Sequence, residues 1–442
     1  MIELSFIDGS IIAKGGVIIY GKYDYHLGAF RAPAFRYREV IKDLKEREVN
    51  YVDKISKVSE FHKRISELEL WDYQKEALEA WKNADRRGVV VLPTGAGKTM
   101  IALKAIEDAG TSTLVIVPTL VLVEQWKEKL EKTFGERVGI VGGGKDIVEA
   151  LTVTTYDSAS LRARELGNKF NLLIFDEVHH LPAPTFKKIG EEYIALYRLG
   201  LSATVKREDG FHLLLPELVG EKVYEMRVED LAGTHLADYT IETIHVPLKR
   251  VEREEYEMHY NVYQRFIRER GIKMKSARDF QRLIMRSGFD PEARRALLSR
   301  NRAMEIALNS EAKISYLKNL ILENSEEKTI IFTQYNSMVY RISREMLIPA
   351  ITHQTPREER EDILRKFSSG EYRRIVTSKV LEEGVDVPDA SLAVILSGTG
   401  SSRSFIQRLG RVLRKKEKKA KLIELVSVGT VETRLSKRRK QD

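Results

Sequence analysis

Five short apolar runs mark the first half of the chain: GVVVLP at 88–93, STLVIVP at 112–118, LTVTTY at 151–156, NLLIFDE at 171–177 and YRLGLSAT at 197–204. Segments with helical spacing separate them, such as TLVLVEQWKEKLEKTF at 119–134. Apolar strands alternating with amphipathic helices predict a parallel sheet wrapped by helices. The pattern returns after residue 305 with KTIIFTQ, IPAITHQ, RRIVTSK, LAVILS and KLIELVSV. Between the two alternations the strand runs stop, and a helical, aromatic-dotted stretch takes over. At the amino terminus, IIAKGGVIIYG reads as a β-hairpin broken by Gly15-Gly16 and Gly21, followed by a charged helix from Arg38 to Glu48. The expected fold is α/β. A small β-rich domain (1–64) precedes a first parallel-sheet core (65–245), a helical insert (246–304) and a second core (305–442).

Composition narrows the class. A chain of 442 residues, 43% hydrophobic and 31% charged, is globular and long enough for several cores. It has no cysteine, which excludes disulfides and thiolate metal sites, and its richness in Lys, Glu and Arg fits heat adaptation. No apolar run approaches about 18 residues and no secretory leader is present, so the expected location is the cytoplasm. The net charge of +9 is concentrated. Residues 260–302 hold 12 Lys/Arg against 4 Asp/Glu, and residues 408–442 hold 13 against 4. Two basic zones on an otherwise acidic body suggest a polyanion partner; solvated helix faces are the alternative.

The loop LPTGAGKT, 92–99, leaves an apolar run and enters a helix, as a phosphate-binding loop must. Gly95 and Gly97, with Pro93, Thr94 and Ala96, let backbone amides approach phosphates at a helix start. Lys98 offers a cation to the terminal phosphates and Thr99 a hydroxyl to Mg²⁺. Where the general pattern begins with glycine, this chain has Leu92. Asp176 closes the run LLIFDEVHH, a place where a carboxylate is costly without a ligand. Mg²⁺ shared with Thr99 supplies one, and Glu177 can then polarise an attacking water. Together the two segments indicate an enzyme that hydrolyses a nucleoside triphosphate.

The order PTGAGKT, DEVHH, SAT and QRLGRVLR resembles the superfamily 2 nucleic-acid helicases over residues 70–425, and with it comes the expectation of two RecA-like cores. The resemblance implies an adenine contact for Gln74, although Trp71 stands where that class often has Arg. It implies strand contacts for Thr119, Thr155 and Thr377, and nucleotide contacts for Gly384 and Asp386. His179, Ser202, Thr204, Gln407 and Arg408 are the implied coupling residues, with Arg411 and Arg414 as arginine fingers. Arg207-Glu208-Asp209 follows the SAT triplet directly and resembles the Arg-Glu-Asp element of the XPB family, the xeroderma pigmentosum group B helicases. By that resemblance the insert is a thumb, residues 1–64 recognise damaged DNA, and the host is archaeal. The expected activity is 3′→5′ DNA unwinding driven by ATP and Mg²⁺, in nucleotide excision repair and transcription. The expected partners are DNA and other repair or transcription proteins, including a nuclease.

Some features carry less. VGGGKD at 141–146 lacks a hydroxyl residue after Lys145 and reads as a turn. The histidines have no metal spacing. Tyr256, Tyr260, Tyr263 and Phe266 share a helical stripe, read first as a packing face and second as a base-stacking surface. Arg265, Arg268 and Lys275 are candidate phosphate contacts of the insert. Arg207, Glu208 and Asp209 are expected either to pair across the closing cleft or to push on a DNA strand at the fork, with alanine there impairing unwinding more than hydrolysis in both cases; an exposed surface loop is the alternative. A double-strand translocase, an RNA helicase and a non-hydrolysing scaffold stay open as alternatives.

Overall fold

A computed structural model describes residues 1–63, 68–207, 209–231, 239–274, 277–378, 390–397 and 420–440. Gly384, Asp386, Gln407, Arg408, Arg411, Arg414, Glu208 and Lys275 lie outside the described residues. The chain divides into two units, Met1–Asp230 and Leu231–Asp442.

The first unit opens with a five-stranded sheet of β1 (Ile2–Ile7), β2 (Ser10–Lys14), β3 (Lys22–Asp24), β4 (Ala29–Pro33) and β5 (Tyr51–Asp53), in the order β3-β4-β2-β1-β5. The hairpin turn is Asp8-Gly9, both at positive φ, joining β1 to β2 through the pair Ile7 and Ser10. Such a two-residue turn matches the strand twist. Gly15-Gly16 only ends β2, so the hairpin lies one run earlier than the pattern suggests. The helix Tyr37–Glu46 buries Tyr37, Val40 and Leu44 on this sheet's core.

This small sheet is fastened to the first large core. Asn168 donates to the Ile55 carbonyl (2.8 Å) and its own carbonyl accepts from the Lys57 amide (2.9 Å). Ile194 joins the apolar cluster of Leu4 and Ile11, and Arg36 pairs with Glu217 at 2.8 Å. A side chain at Gly9 would run into Glu192.

The large sheet of this unit has β6 (Arg87–Val91), β7 (Thr113–Val117), β8 (Gly139–Gly142), β9 (Lys145–Ile147), β10 (Leu151–Thr155), β11 (Leu172–Asp176), β12 (Tyr197–Ser202) and β13 (Lys222–Glu225). Their order is β13-β6-β12-β11-β7-β10-β8-β9, parallel except for β9, which turns back on β8 through the glycines of VGGGKD. The five apolar runs are thus β6, β7, β10, β11 and β12. Their carboxyl ends share one edge, where an open α/β sheet places its ligands.

The second unit's sheet has β14 (Tyr239–Val246), β15 (Thr329–Phe332), β16 (Ala350–Ile351), β17 (Arg374–Thr377), β18 (Leu392–Ile395) and β19 (Ala420–Ser427), all parallel in the order β14-β19-β18-β15-β17-β16. Here the expected boundaries shift. Residues 239–245, read with the first core, pair along β19 from Tyr239 to Val246. The insert's last helix continues to Leu308. Helices Arg250–Glu269, Ala277–Arg286 and Pro291–Leu308 form the insert. Tyr256, Tyr263 and Phe266 are buried and Tyr260 stacks on Tyr256 at 5.4 Å, so the stripe is a packing face.

Candidate nucleotide site

The loop after β6 turns into the helix Lys98–Ala109 with Gly97 as its left-handed N-cap. A second element braces it. The Gln74 amide donates to the Ala96 carbonyl (3.0 Å), and the Tyr73 hydroxyl donates to the same oxygen (2.8 Å). Gln74 also accepts from the Trp71 amide (3.0 Å), which fixes its amide group. A Cβ at Gly97 would meet the Gln74 nitrogen, so glycine is required by close approach as well as by φ. Gln74 is therefore buried against the loop itself, a contact sequence alone did not show.

The Lys98 ammonium folds onto the Leu92 (2.9 Å) and Pro93 (3.4 Å) carbonyls. The Thr94 hydroxyl oxygen is buried in the same loop with no hydrogen-bond partner, a cost that a phosphate oxygen would relieve. Glycine-rich backbone, the start of a helix and an orphaned hydroxyl together suit an anion.

Asp176 ends β11, two strands from β6. Burial, then the adjacent Glu177 charge, pushes its carboxyl up to about 6, while the Trp126 indole and the Lys98 ammonium pull it down. Trp126 donates to Asp176 Oδ2 (3.0 Å) and the Glu177 amide to Oδ1 (3.1 Å). The Tyr156 hydroxyl holds the Asp176 carbonyl (2.9 Å). A carboxylate of this kind and the Thr99 hydroxyl are hard oxygen ligands, and they fit Mg²⁺.

Glu177 sits at φ +50, strained for a non-glycine residue. Its carboxylate accepts from the Ser202 hydroxyl (3.2 Å), and His179 Nδ1 lies 2.9 Å from that hydroxyl and 3.4 Å from Glu177. The Thr204 amide reaches Ser202 Oγ at 3.3 Å. Glu177, His179, Ser202 and Thr204 thus form one network between the loops after β11 and β12.

The charged triplet joins that network. Arg207 Nη1 donates to the His179 carbonyl (2.6 Å), and the same guanidinium grips Asp209 through two bonds (2.9 and 2.5 Å). Arg207 holds the Asp209 carboxyl down at about 2. The loop after β12 thus reaches back to the backbone of the loop that carries Glu177.

The other candidates stand apart. Thr119 and Thr155 cap the helices Leu120–Phe134 and Tyr156–Leu161, accepting from Leu122 and Ser158 amides. Both stand on the carboxyl edge of the sheet. Thr377 is fully buried and its hydroxyl donates to the Ser378 carbonyl (3.0 Å). Arg265 and Arg268 are exposed, whereas Arg270, Arg286 and Arg302 of the same insert pair with Glu292, Asp290 and Glu255. Sequence reasoning missed Trp126, Tyr73 and Tyr156. The only signal was an indole or phenol on the inner face of a helix, where a polar atom needs a partner.

A protein of Sulfurisphaera tokodaii named DNA 3'-5' translocase XPB2 is 47% identical to this chain over 420 residues, covering 95% of each. The chain belongs to the XPB helicase family. Residues 4–55 match the xeroderma pigmentosum group B helicase damage recognition domain, 67–207 the type III restriction enzyme res subunit, and 312–416 the helicase conserved C-terminal domain. The DNA 3'-5' helicase XPB of Mycobacterium tuberculosis is 30% identical over 79% of this chain and 58% of its own length. The Hef helicase domain of Pyrococcus furiosus shares the fold, with a TM-score of 0.56 and 21% identity over 86% of this chain and all of that one. XPB-family membership accounts for a small β domain before two parallel-sheet units. Among the described residues, no helix is long and apolar enough to cross a membrane.

Proposed function

We propose that this chain is an ATP-driven DNA motor that moves 3′→5′ and opens duplex DNA, in excision repair and in transcription. The observation that carries it is the edge of the first large sheet. There Lys98 lies close enough to Asp176 to bias its charge, and Glu177 is linked through Ser202 and His179 to the next loop. Mg²⁺ held by Thr99 and Asp176 would neutralise charge developing on the phosphates of ATP. Glu177 orients the attacking water, and Pro93–Thr99 with Gln74 hold the nucleotide. Arg411, Arg414, Gly384 and Asp386 are assigned to the same nucleotide, and Gln407 and Arg408 to coupling, on the family resemblance. Thr119, Thr155, Thr377, Arg265, Arg268 and Lys275 are assigned to DNA; burial of the Thr377 hydroxyl makes it the weakest of these. Residues 1–64 are assigned to damaged DNA, and a nuclease or other repair and transcription proteins to partnership. Work in the cytoplasm of an archaeal or other prokaryotic cell belongs to the same reading.

Movement along duplex without strand separation is the second reading, favoured by the translocase name of the relative that matches 95% of this chain. One experiment measures hydrolysis with duplex, forked, single-stranded and damaged DNA and with RNA, beside displacement of a third strand from intact duplex. DNA should stimulate and RNA should not. Third-strand displacement without fork opening selects the second reading. Lys98→Ala and Glu177→Gln should each abolish hydrolysis while the fold stays intact; substantial turnover in either rejects the site.

A further inference from the structure

We propose that Trp126 is a positioning residue, a hydrogen-bonded link between the strand-facing end of its helix and the metal carboxylate Asp176. The inference rests on the reading of Asp176 as a Mg²⁺ ligand and of Thr119 as a strand contact. Trp126 is 4% exposed, and its indole donates to Asp176 Oδ2 at 3.0 Å. The other oxygen accepts from the Glu177 amide at 3.1 Å. Each carboxylate oxygen so receives one protein donor, and the remaining lone pairs are left for a cation and its waters. Without the indole, Oδ2 loses the donor that fixes it and the carboxylate can turn. Groups that hold a ligating carboxylate in this way commonly matter about 10–100-fold in metal affinity or activity.

The helix that carries the indole begins at the strand-facing edge. Thr119 caps it by accepting from the Leu122 amide, and Val123, Trp126, Leu130 and Phe134 bury its inner face. Trp126 stands two turns after the cap, about 10 Å along the axis. Of these four buried side chains only Trp126 carries a polar group, and that group reaches Asp176 rather than solvent. A backbone shift at the cap is therefore delivered to the carboxylate through a single rigid ring, and strand binding acquires a route to metal binding.

Trp126→Phe separates this role from packing, because it keeps an aromatic ring and removes the donor. Binding of a fluorescent ADP analogue is measured across a Mg²⁺ titration and in EDTA, with duplex affinity and hydrolysis followed in parallel. The half-saturating Mg²⁺ concentration should rise about tenfold, while binding in EDTA and duplex affinity stay as in the wild type. Stimulation of hydrolysis by duplex should fall more than basal hydrolysis. A wild-type Mg²⁺ curve in the Phe protein overturns the inference alone; absence of any Mg²⁺ dependence in the wild type overturns the reading of the site. The unaltered chain gives a second test. Its three tryptophans give three indole signals, of which Trp81 donates to the Arg198 carbonyl, away from the loop, and Trp126 to Asp176. Adding Mg²⁺ to the ADP complex should shift the signal that is missing from the Trp126→Phe protein, and no shift of that signal overturns the link.

Discussion

At the strand ends of the first large sheet, Asp176 and Glu177 stand side by side with like charges, and Glu177 holds a strained backbone angle. In the second unit, Lys313 and Glu432 have no exposed surface and lie 2.5 Å apart. Lys313 also donates to the Leu396 carbonyl (2.7 Å), and Glu432 accepts from the Ser427 amide (2.8 Å). Glu424 on β19 accepts from Ser436 of the helix that carries Glu432 (2.7 Å). One region leaves charge unbalanced where a cation and phosphates are expected to complete it; the other sets a buried ammonium against a buried carboxylate of its own and ties the helix Glu311–Glu323 to the helix Val431–Lys440. Buried charge alone does not mark a site. What marks it is whether the protein's own groups finish the balance.

The contrast can be broken most severely at the internal pair. Lys313→Met strands Glu432 in the core and should cost about 3–5 kcal/mol, whereas joint replacement of Lys313 and Glu432 by apolar residues should restore most of the loss. Chemical denaturation of the three proteins checks this, and hydrolysis by whatever fraction stays folded should be near normal.

Asp176→Asn should do the reverse, removing activity while adding stability. The folded carboxyl sits at about 6 against 3.8 for an ordinary aspartate, so ionisation opposes folding. That penalty is complete above pH 6, on the order of 2 kcal/mol after allowing for the residue's open face. It shrinks as pH falls and is gone below the ordinary value. The metal-free Asn protein should therefore melt higher at pH 7.5, and the gap should close between pH 6 and pH 4. A constant gap would mean that Asp176 is not the strained group.

A smaller effect is expected at the triplet. Arg207→Ala removes a donor from the His179 carbonyl and should lower DNA-stimulated hydrolysis several-fold, in proportion to strand opening. Loss of opening with full hydrolysis would return the triplet to the fork. Smallest of all, Arg265→Glu with Arg268→Glu should flatten the salt dependence of duplex binding by about one unit per lost phosphate contact, leaving DNA-free hydrolysis unchanged.

The strands β6, β7, β10, β11 and β12 were legible because a parallel strand buried on both faces is an unbroken apolar run. The phosphate loop was legible because its chemistry is local: glycines, a lysine and a helix start in eight residues. β14 was not. Its sequence, YTIETIHV, neither forms an unbroken apolar run nor alternates cleanly, and nothing in it says which sheet the strand joins. Trp126 and Asp176 are fifty positions apart, and Arg207 meets His179 through a carbonyl, which every residue has. Contacts made by backbone, or by distant side chains of ordinary type, leave no spacing to read.

The joint between the small amino-terminal sheet and the first core has a mechanical meaning. Asn168 bonds the segment after β5 through both its side chain and its backbone, Ile194 enters the small sheet's core, and the turn at Gly9 has no room to tilt against Glu192. A part fixed at so many points has no hinge of its own. If that sheet senses distorted DNA, it cannot probe by swinging independently; it samples the duplex only as fast as the body holding the phosphate loop advances. Inspection and stepping would then share one clock, set by the motor.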